Sequence, residues 1–126
     1  MLKIENLKYK NILDIKNLEI RPNIVTTIVG KSGSGKTTLL KLLNKLISPE
    51  SGKVYYLGND LEQVDSIAHR RNVVMLSQTP VVFAGSVKDN LLIGLDFSEK
   101  PHPSDDKLIE VLHKVHLNLS LSADAD

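Results

Sequence analysis

The chain has no cysteine and no tryptophan, and aromatic residues make up only 4% of its 126 positions. The absence of cysteine excludes disulfide bonds, thiolate catalysis and the usual structural zinc sites, and it fits a reducing compartment. The formal charge is only +1, from 16 basic and 15 acidic residues, so there is no overall positive field to hold a nucleic-acid backbone. We therefore expect a cytoplasmic location and no DNA or RNA partner.

Long apolar runs are also missing. No stretch reaches the roughly 18 uninterrupted apolar residues of a membrane-spanning helix, and the first residues lack the apolar core of a signal peptide. We therefore expect that the chain itself does not span a membrane. With 41% hydrophobic and 25% charged residues, the composition is that of a globular protein about one domain in size.

The beginning of the chain predicts an antiparallel β part, made of residues 1–23 and 53–58. Apolar and polar side chains alternate over residues 2–9 and 12–20, which is typical of two half-buried strands. Residues 53–57 form a further predicted strand, which ends at a glycine turn.

A strand, a glycine-rich loop and a helix are predicted over residues 24–52. Residues 24–29 are a β-branched run without alternation, as in a parallel strand that is buried on both faces. Residues 37–47 have leucines at helical spacing, and a second short buried strand is predicted at 73–76.

Two helices are predicted in the last third of the chain. Ser86 begins a short helix that extends to Leu92, with Asp89 placed to complete a capping box. The polar segment 97–106 is predicted to be a loop, and residues 105–117 have the pattern of an amphipathic helix.

The glycine-rich loop matches the phosphate-binding pattern G-x-x-x-x-G-K-[ST] at every fixed position. Its amide groups are expected to bind phosphate oxygens, Lys36 to reach the β and γ phosphates, and Thr37 to ligate Mg²⁺. Thr38 is expected to reach the α phosphate. The predicted nucleotide-binding residues of the loop are Gly30, Lys31, Ser32, Gly33, Ser34, Gly35, Lys36, Thr37 and Thr38.

A second motif follows the strand predicted at 73–76. The run Arg71-Asn72-Val73-Val74-Met75-Leu76-Ser77-Gln78-Thr79-Pro80-Val81-Val82-Phe83 continues through Gly85-Ser86-Val87-Lys88-Asp89-Asn90-Leu91. It resembles the Q-loop of the ATP-binding-cassette (ABC) ATPases, the ATP-binding subunits of ABC transporters. The resemblance covers essentially the whole chain, including the opening strands, Tyr9 and the Ser51-Gly52 pair.

The resemblance implies a fold, cofactors and partners. The fold is α/β, a P-loop nucleoside-triphosphatase core with parallel strands and an antiparallel β subdomain at the N-terminus. The cofactors are ATP and Mg²⁺, with Tyr9 stacked on adenine and Gln78 at the metal and the γ phosphate. By this resemblance, residues 79–92 are expected to face a transmembrane permease subunit, with Val82 and Phe83 as candidates for the apolar contact. The complete protein is expected to be a homodimer at the cytoplasmic membrane face.

Complete members of that family continue with a signature motif, a Walker B strand, a catalytic glutamate and a switch histidine, and none of these patterns occurs here. We therefore expect residues 1–126 to be a partial nucleotide-binding domain that ends before the signature helix and binds ATP without hydrolysing it. Residues 73–92 are its Q-loop region, and residues 104–117 begin its helical subdomain. An incomplete sheet would expose the strand at 24–29 to pairing with another chain.

Other interpretations stay open on the residues alone. A small-molecule kinase would need an arginine-rich lid, and only Arg70 and Arg71 form a pair here. A non-enzymatic module with a purely structural loop is a second rival. Tyr9 can be simple packing, Gln78 an ordinary loop residue, and Val81 to Phe83 plain core. Within the family, the residues around Gln78 and Asn90 most resemble small bacterial ATPases associated with iron or metal export.

Overall fold

The computed structural model describes residues 1–125, and it divides into one unit over Met1–Leu76 and a second that starts at Ser77. The first unit contains a four-stranded antiparallel sheet in the order β2-β1-β3-β4. The strands are β1 (Leu2–Tyr9), β2 (Leu13–Ile20), β3 (Ser51–Tyr56) and β4 (Asn59–Asp60). The predicted antiparallel sheet is thereby confirmed.

Strand β1 bulges where it passes β3. The pairing with β3 shifts register between Glu5 and Lys8, and Asn6 takes a left-handed φ of 48°. Gly52 lies against this bulge with a φ of 83°, and a Cβ atom there would stand 2.3 Å from the carbonyl oxygen of Asn6. Only glycine fits this close approach.

The core of the first unit lies between the sheet and helix α1 (Lys36–Leu43). The alternation of β1 directs Ile4 and Leu7 to one face, and the helical spacing of α1 brings its leucines against them. The buried members of this cluster are Ile4, Leu7, Leu39, Leu42, Leu43, Val54 and Leu61.

Helix α1 is shorter than the predicted span of 37–47. It ends at Leu43 because Asn44 is the C-cap and Lys45 turns the backbone to a left-handed φ of 57°. Asn44 is buried, and its side-chain amide donates a hydrogen bond to the carbonyl of Val73.

A buried histidine also holds this end of α1. His69, on helix α2 (Ser66–Asn72), is almost fully buried and bonds through Nε2 to the carbonyl of Leu43 at 2.9 Å. Since a carbonyl only accepts, Nε2 carries the proton, and Nδ1 has no hydrogen-bond partner among the described residues. Arg70 of the same helix donates to the Lys45 carbonyl at 3.0 Å. The end of α1 is thus fixed against α2 by side chains rather than by apolar contact alone.

The two parallel strands predicted at residues 24–29 and 73–76 are not strands in the structure. Residues 24–29 and 73–76 are extended but belong to no sheet of the described residues, and Val25 and Val74 are 96% and 82% exposed. Both segments line a groove of about 310 Å³ whose floor includes Leu40 and Leu43. The β-branched composition favours extended backbone, but a strand also needs a hydrogen-bonded neighbouring strand, and neither segment has one within residues 1–125.

The second unit contains helices α3 (Val87–Phe97) and α4 (Asp105–Lys114). The capping box of Ser86 and Asp89 is confirmed, and α3 continues past Leu92, so the loop predicted from Phe97 onward begins one residue later. In the first turn of α3, the amide of Val87 donates to the carbonyl of Ala123 and the amide of Lys88 to the carbonyl of Leu121. Over residues 1–125, no helix is long and apolar enough to cross a membrane.

Candidate functional site

The backbone of the glycine-rich loop curls tightly before α1. Gly33 and Gly35 take left-handed φ angles of 79° and 88°, and the amide of Ser34 bonds to the Lys31 carbonyl at 3.2 Å. A Cβ atom on Gly30 would lie 2.6 Å from Oγ of Ser34, a side chain that can rotate away. The curve forms because Gly33 and Gly35 adopt left-handed conformations that residues with a side chain rarely take.

The ammonium group of Lys36 is held against the loop. Its Nζ donates to the carbonyls of Gly30 and Lys31, both at 2.7 Å, and stands 3.5 Å from Oγ of Ser34. The loop therefore has a positive charge fixed at its own curve, beside the amino end of α1, where the helix dipole adds further positive potential.

The first turn of α1 adds amide and hydroxyl groups. Gly35 is its N-cap, and the helix begins at Lys36 and continues through Thr37 and Thr38. First-turn amides have no intrahelical acceptor, so they remain available to an anion. The Thr37 side chain is exposed, and a hydroxyl oxygen is a ligand that Mg²⁺ accepts. Amides of this kind can bind phosphate oxygens, and a hydroxyl of this kind can ligate Mg²⁺.

Tyr9 is the last residue of β1, directly before a turn that contacts the loop. The turn between β1 and β2 brings Leu13 and Ile12 close to Gly35, where an added Cβ would meet their side chains at 2.8 and 2.9 Å. Tyr9 itself is half-buried and packs against the core cluster of the first unit. The Nζ atom of Lys10 lies over its ring, 5.4 Å from the centroid. The turn that follows Tyr9 therefore contacts the glycine-rich loop through Ile12 and Leu13.

Gln78 lies near the start of the second unit, in a segment without regular structure, and it is exposed. Its neighbour Ser77 donates through Oγ to the carbonyl of Thr79 at 2.5 Å. Its predicted contact with metal and γ phosphate stays a prediction.

The apolar residues after Gln78 point to solvent in the second unit. Val81 is 74% exposed and Phe83 is 44% exposed, so they are not core side chains there. Asn90 of α3 holds the backbone of Phe83 with two bonds of 2.8 Å, one to its amide and one to its carbonyl. Below them, the Ser86 hydroxyl and amide donate to the carboxylate of Asp89 and lower the pKa of that group.

Three features of the site were missed from the sequence. Lys10 lies over Tyr9 only because of the turn geometry, for which the residue pattern has no signal. Asn44 and His69 hold the far end of α1, and both are polar residues at positions that turn out to be buried. A polar residue directly after the leucines of α1 was the available clue, since it falls beside the apolar face.

A glycine-rich curve that ends on a helix amino terminus is the type of structure that binds phosphate in nucleotide-binding proteins. The family model for ABC transporters matches residues 13–125. The chain therefore belongs to the ABC transporter family.

Known members of the family show how much of them this chain resembles. It is 37% identical over 111 residues to ABC transporter I family member 17 of Arabidopsis thaliana, covering 88% of this chain and 42% of that protein. It is 46% identical over 85 residues to the Lactococcin-A transport/processing ATP-binding protein LcnC of Lactococcus lactis, covering 68% and 12%. It is 31% identical over 108 residues to the ABC-type transporter fsqE of Aspergillus fumigatus, covering 86% and 8%. The chain spans less than half the length of each of these relatives.

Proposed function

We propose that this chain is the nucleotide-binding part of an ABC transporter ATPase and binds MgATP at the glycine-rich loop. The observation that carries the proposal is the fixed ammonium of Lys36, which bonds to two carbonyls of the loop beside the amino end of α1. A positive charge and free amides in one curve match the charge and shape of a triphosphate.

Each residue of the loop has a role in the proposal. Amides of Gly35, Lys36, Thr37 and Thr38 bind phosphate oxygens, and the Lys36 ammonium neutralises the β and γ phosphates. Thr37 and Gln78 are the proposed protein ligands of Mg²⁺, which would neutralise charge on the phosphates. Tyr9 offers its ring to the adenine base, because its turn contacts the loop at Gly35.

The proposed partner is a transmembrane permease subunit at the cytoplasmic face of a membrane, bound through residues 79–92. The exposed Val81 and Phe83 support this proposal, because a group of exposed apolar side chains marks an interaction site. The complete protein is proposed to act as a homodimer. For these 126 residues alone we propose binding without hydrolysis, since the printed sequence has neither the signature motif nor the acidic strand end on which hydrolysis in this family depends.

Calorimetric titration with MgATP tests the proposal, using wild type, Lys36→Ala and Lys41→Ala. Both variants remove one lysine charge from α1, but Lys41 is exposed near the other end of the helix. Loss of a charged hydrogen bond costs about 1.5–3 kcal/mol, so we expect Lys36→Ala to weaken binding by at least about tenfold. Lys41→Ala should change it by less than about twofold.

Two results would contradict the proposal, provided that circular dichroism shows a folded chain. If wild type does not bind MgATP, the loop is structural and the non-enzymatic interpretation is favoured. If the two lysine variants bind equally well, the nucleotide lies elsewhere.

A further inference from the structure

The ring of Tyr9 is partly buried, and a cation lies over it. Tyr9 packs against the core cluster and is half-buried, so a ligand reaches the ring only from solvent. The exposed Lys10 places its ammonium over the ring, 5.4 Å from the centroid, within the range of a cation–π contact.

The backbone around Lys10 is held on both sides. Its amide donates to Oε2 of Glu50 at 2.9 Å, and the amide of Glu50 donates to the Lys8 carbonyl at 2.9 Å. Lys10 has a left-handed φ of 48°, and the amide of Ile12 closes the turn onto the Tyr9 carbonyl at 3.2 Å. The backbone position of Lys10 next to Tyr9 is therefore set by an ordered turn.

The same turn contacts the glycine-rich loop at Gly35 through Ile12 and Leu13. In the proposed function, a nucleotide with its phosphates at that loop offers its base to Tyr9, the last residue of β1 before this turn. The base and the Lys10 ammonium then compete for one ring.

We propose that Lys10 covers the base-binding surface of Tyr9 and lowers the affinity for the base part of the nucleotide. The inference depends on the proposed function and adds a residue that sets its affinity. A base that stacks on the ring must displace the ammonium, and the lost cation–π contact at an exposed site corresponds to about two- to fivefold in affinity. The phosphates, bound by the loop, do not meet this competition.

The test compares MgATP with magnesium tripolyphosphate, which has the phosphates but no base. Lys10→Met keeps the length of the side chain and removes its charge, and Lys10→Arg keeps the cation over the ring. We expect Lys10→Met to tighten MgATP binding about two- to fivefold while tripolyphosphate binding is unchanged. Lys10→Arg should behave like wild type. Titrations at 0.15 and 0.5 M salt separate this effect from long-range attraction, which salt screens.

A double variant completes the test. In a Tyr9→Leu background the ring is gone, so Lys10→Met should no longer change MgATP affinity. If Lys10→Met weakens both ligands, Lys10 attracts phosphates and the inference is wrong. It is also wrong if the variant changes neither ligand. Failure of the proposed function is a different result, in which folded wild type does not bind tripolyphosphate at all.

Discussion

Gly52 and Gly58 have nearly the same left-handed backbone, with φ angles of 83° and 86°, in very different surroundings. A Cβ atom at Gly52 would lie 2.3 Å from the Asn6 carbonyl oxygen, while at Gly58 no atom lies within 4 Å. Any non-glycine residue in this conformation costs about 1–2 kcal/mol, which both positions share. The difference in stability loss between alanine substitutions at the two positions therefore measures the close approach of Gly52 to Asn6.

We expect Gly58→Ala to lower the free energy of unfolding by about 1 kcal/mol. Gly52→Ala should lower it by about 2 kcal/mol more, because the bulge of β1 must move to admit the methyl group. Urea unfolding followed by circular dichroism measures both variants. Equal losses would show that the bulge gives way freely and that packing at Gly52 has no role.

At the scale of an element, the start of α3 is held by the reciprocal bonds of Ser86 and Asp89. Replacing an N-cap serine by alanine costs about 1 kcal/mol. We expect Ser86→Ala to lose about this much stability and to speed amide hydrogen exchange in the first turns of α3. Unchanged exchange there would show that the bonds to residues 121 and 123 suffice to hold the helix start.

The capping box of Ser86 and Asp89 also predicts that the free energy of unfolding depends on pH. The Ser86 hydroxyl and amide lower the pKa of Asp89 from its ordinary value of 3.8, because both donate to the ionised carboxylate. A lowered folded-state pKa contributes stability that is present above the ordinary value and is lost as pH falls through the lowered one. In an NMR titration of the Asp89 carboxyl carbon, Ser86→Ala should raise the midpoint toward 3.8. Asp89→Asn, which has no titrating group, should remove this part of the acid dependence of stability.

Elements with local signals could be predicted from the sequence, and those that depend on distant partners could not. Alternation predicted β1 and β2, and the Ser86 box predicted the start of α3, since each signal acts within a few residues. The strand predicted at 24–29 did not form, because strand formation depends on a neighbour elsewhere in the chain. The end of α1 was placed too late, because Asn44 turns away to reach Val73.

At the scale of the whole molecule, one part of the proposed site is a motif of consecutive residues, and the other part depends on how distant segments are arranged. The spacing from Gly30 to Thr37 predicts a phosphate-binding loop, because that chemistry needs consecutive residues. The contact of the Tyr9 turn with Gly35 and the position of Lys10 could not be predicted, since they depend on how the sheet meets α1. Sequence thus predicts a motif of consecutive residues better than the contacts that distant segments make around it.

Two exposed apolar segments determine where a protease should cut first. Residues 24–29 and 74–83 have no regular structure and several strongly exposed apolar side chains. Thermolysin cleaves before large apolar residues in exposed, irregular chain, so we expect the first cuts in these two segments, as read by intact mass. MgATP should slow the cut at 24–29 in wild type, because that segment leads directly into Gly30, and should have no such effect in Lys36→Ala. First cleavage within β1 or α3 would contradict this assignment of ordered and irregular chain.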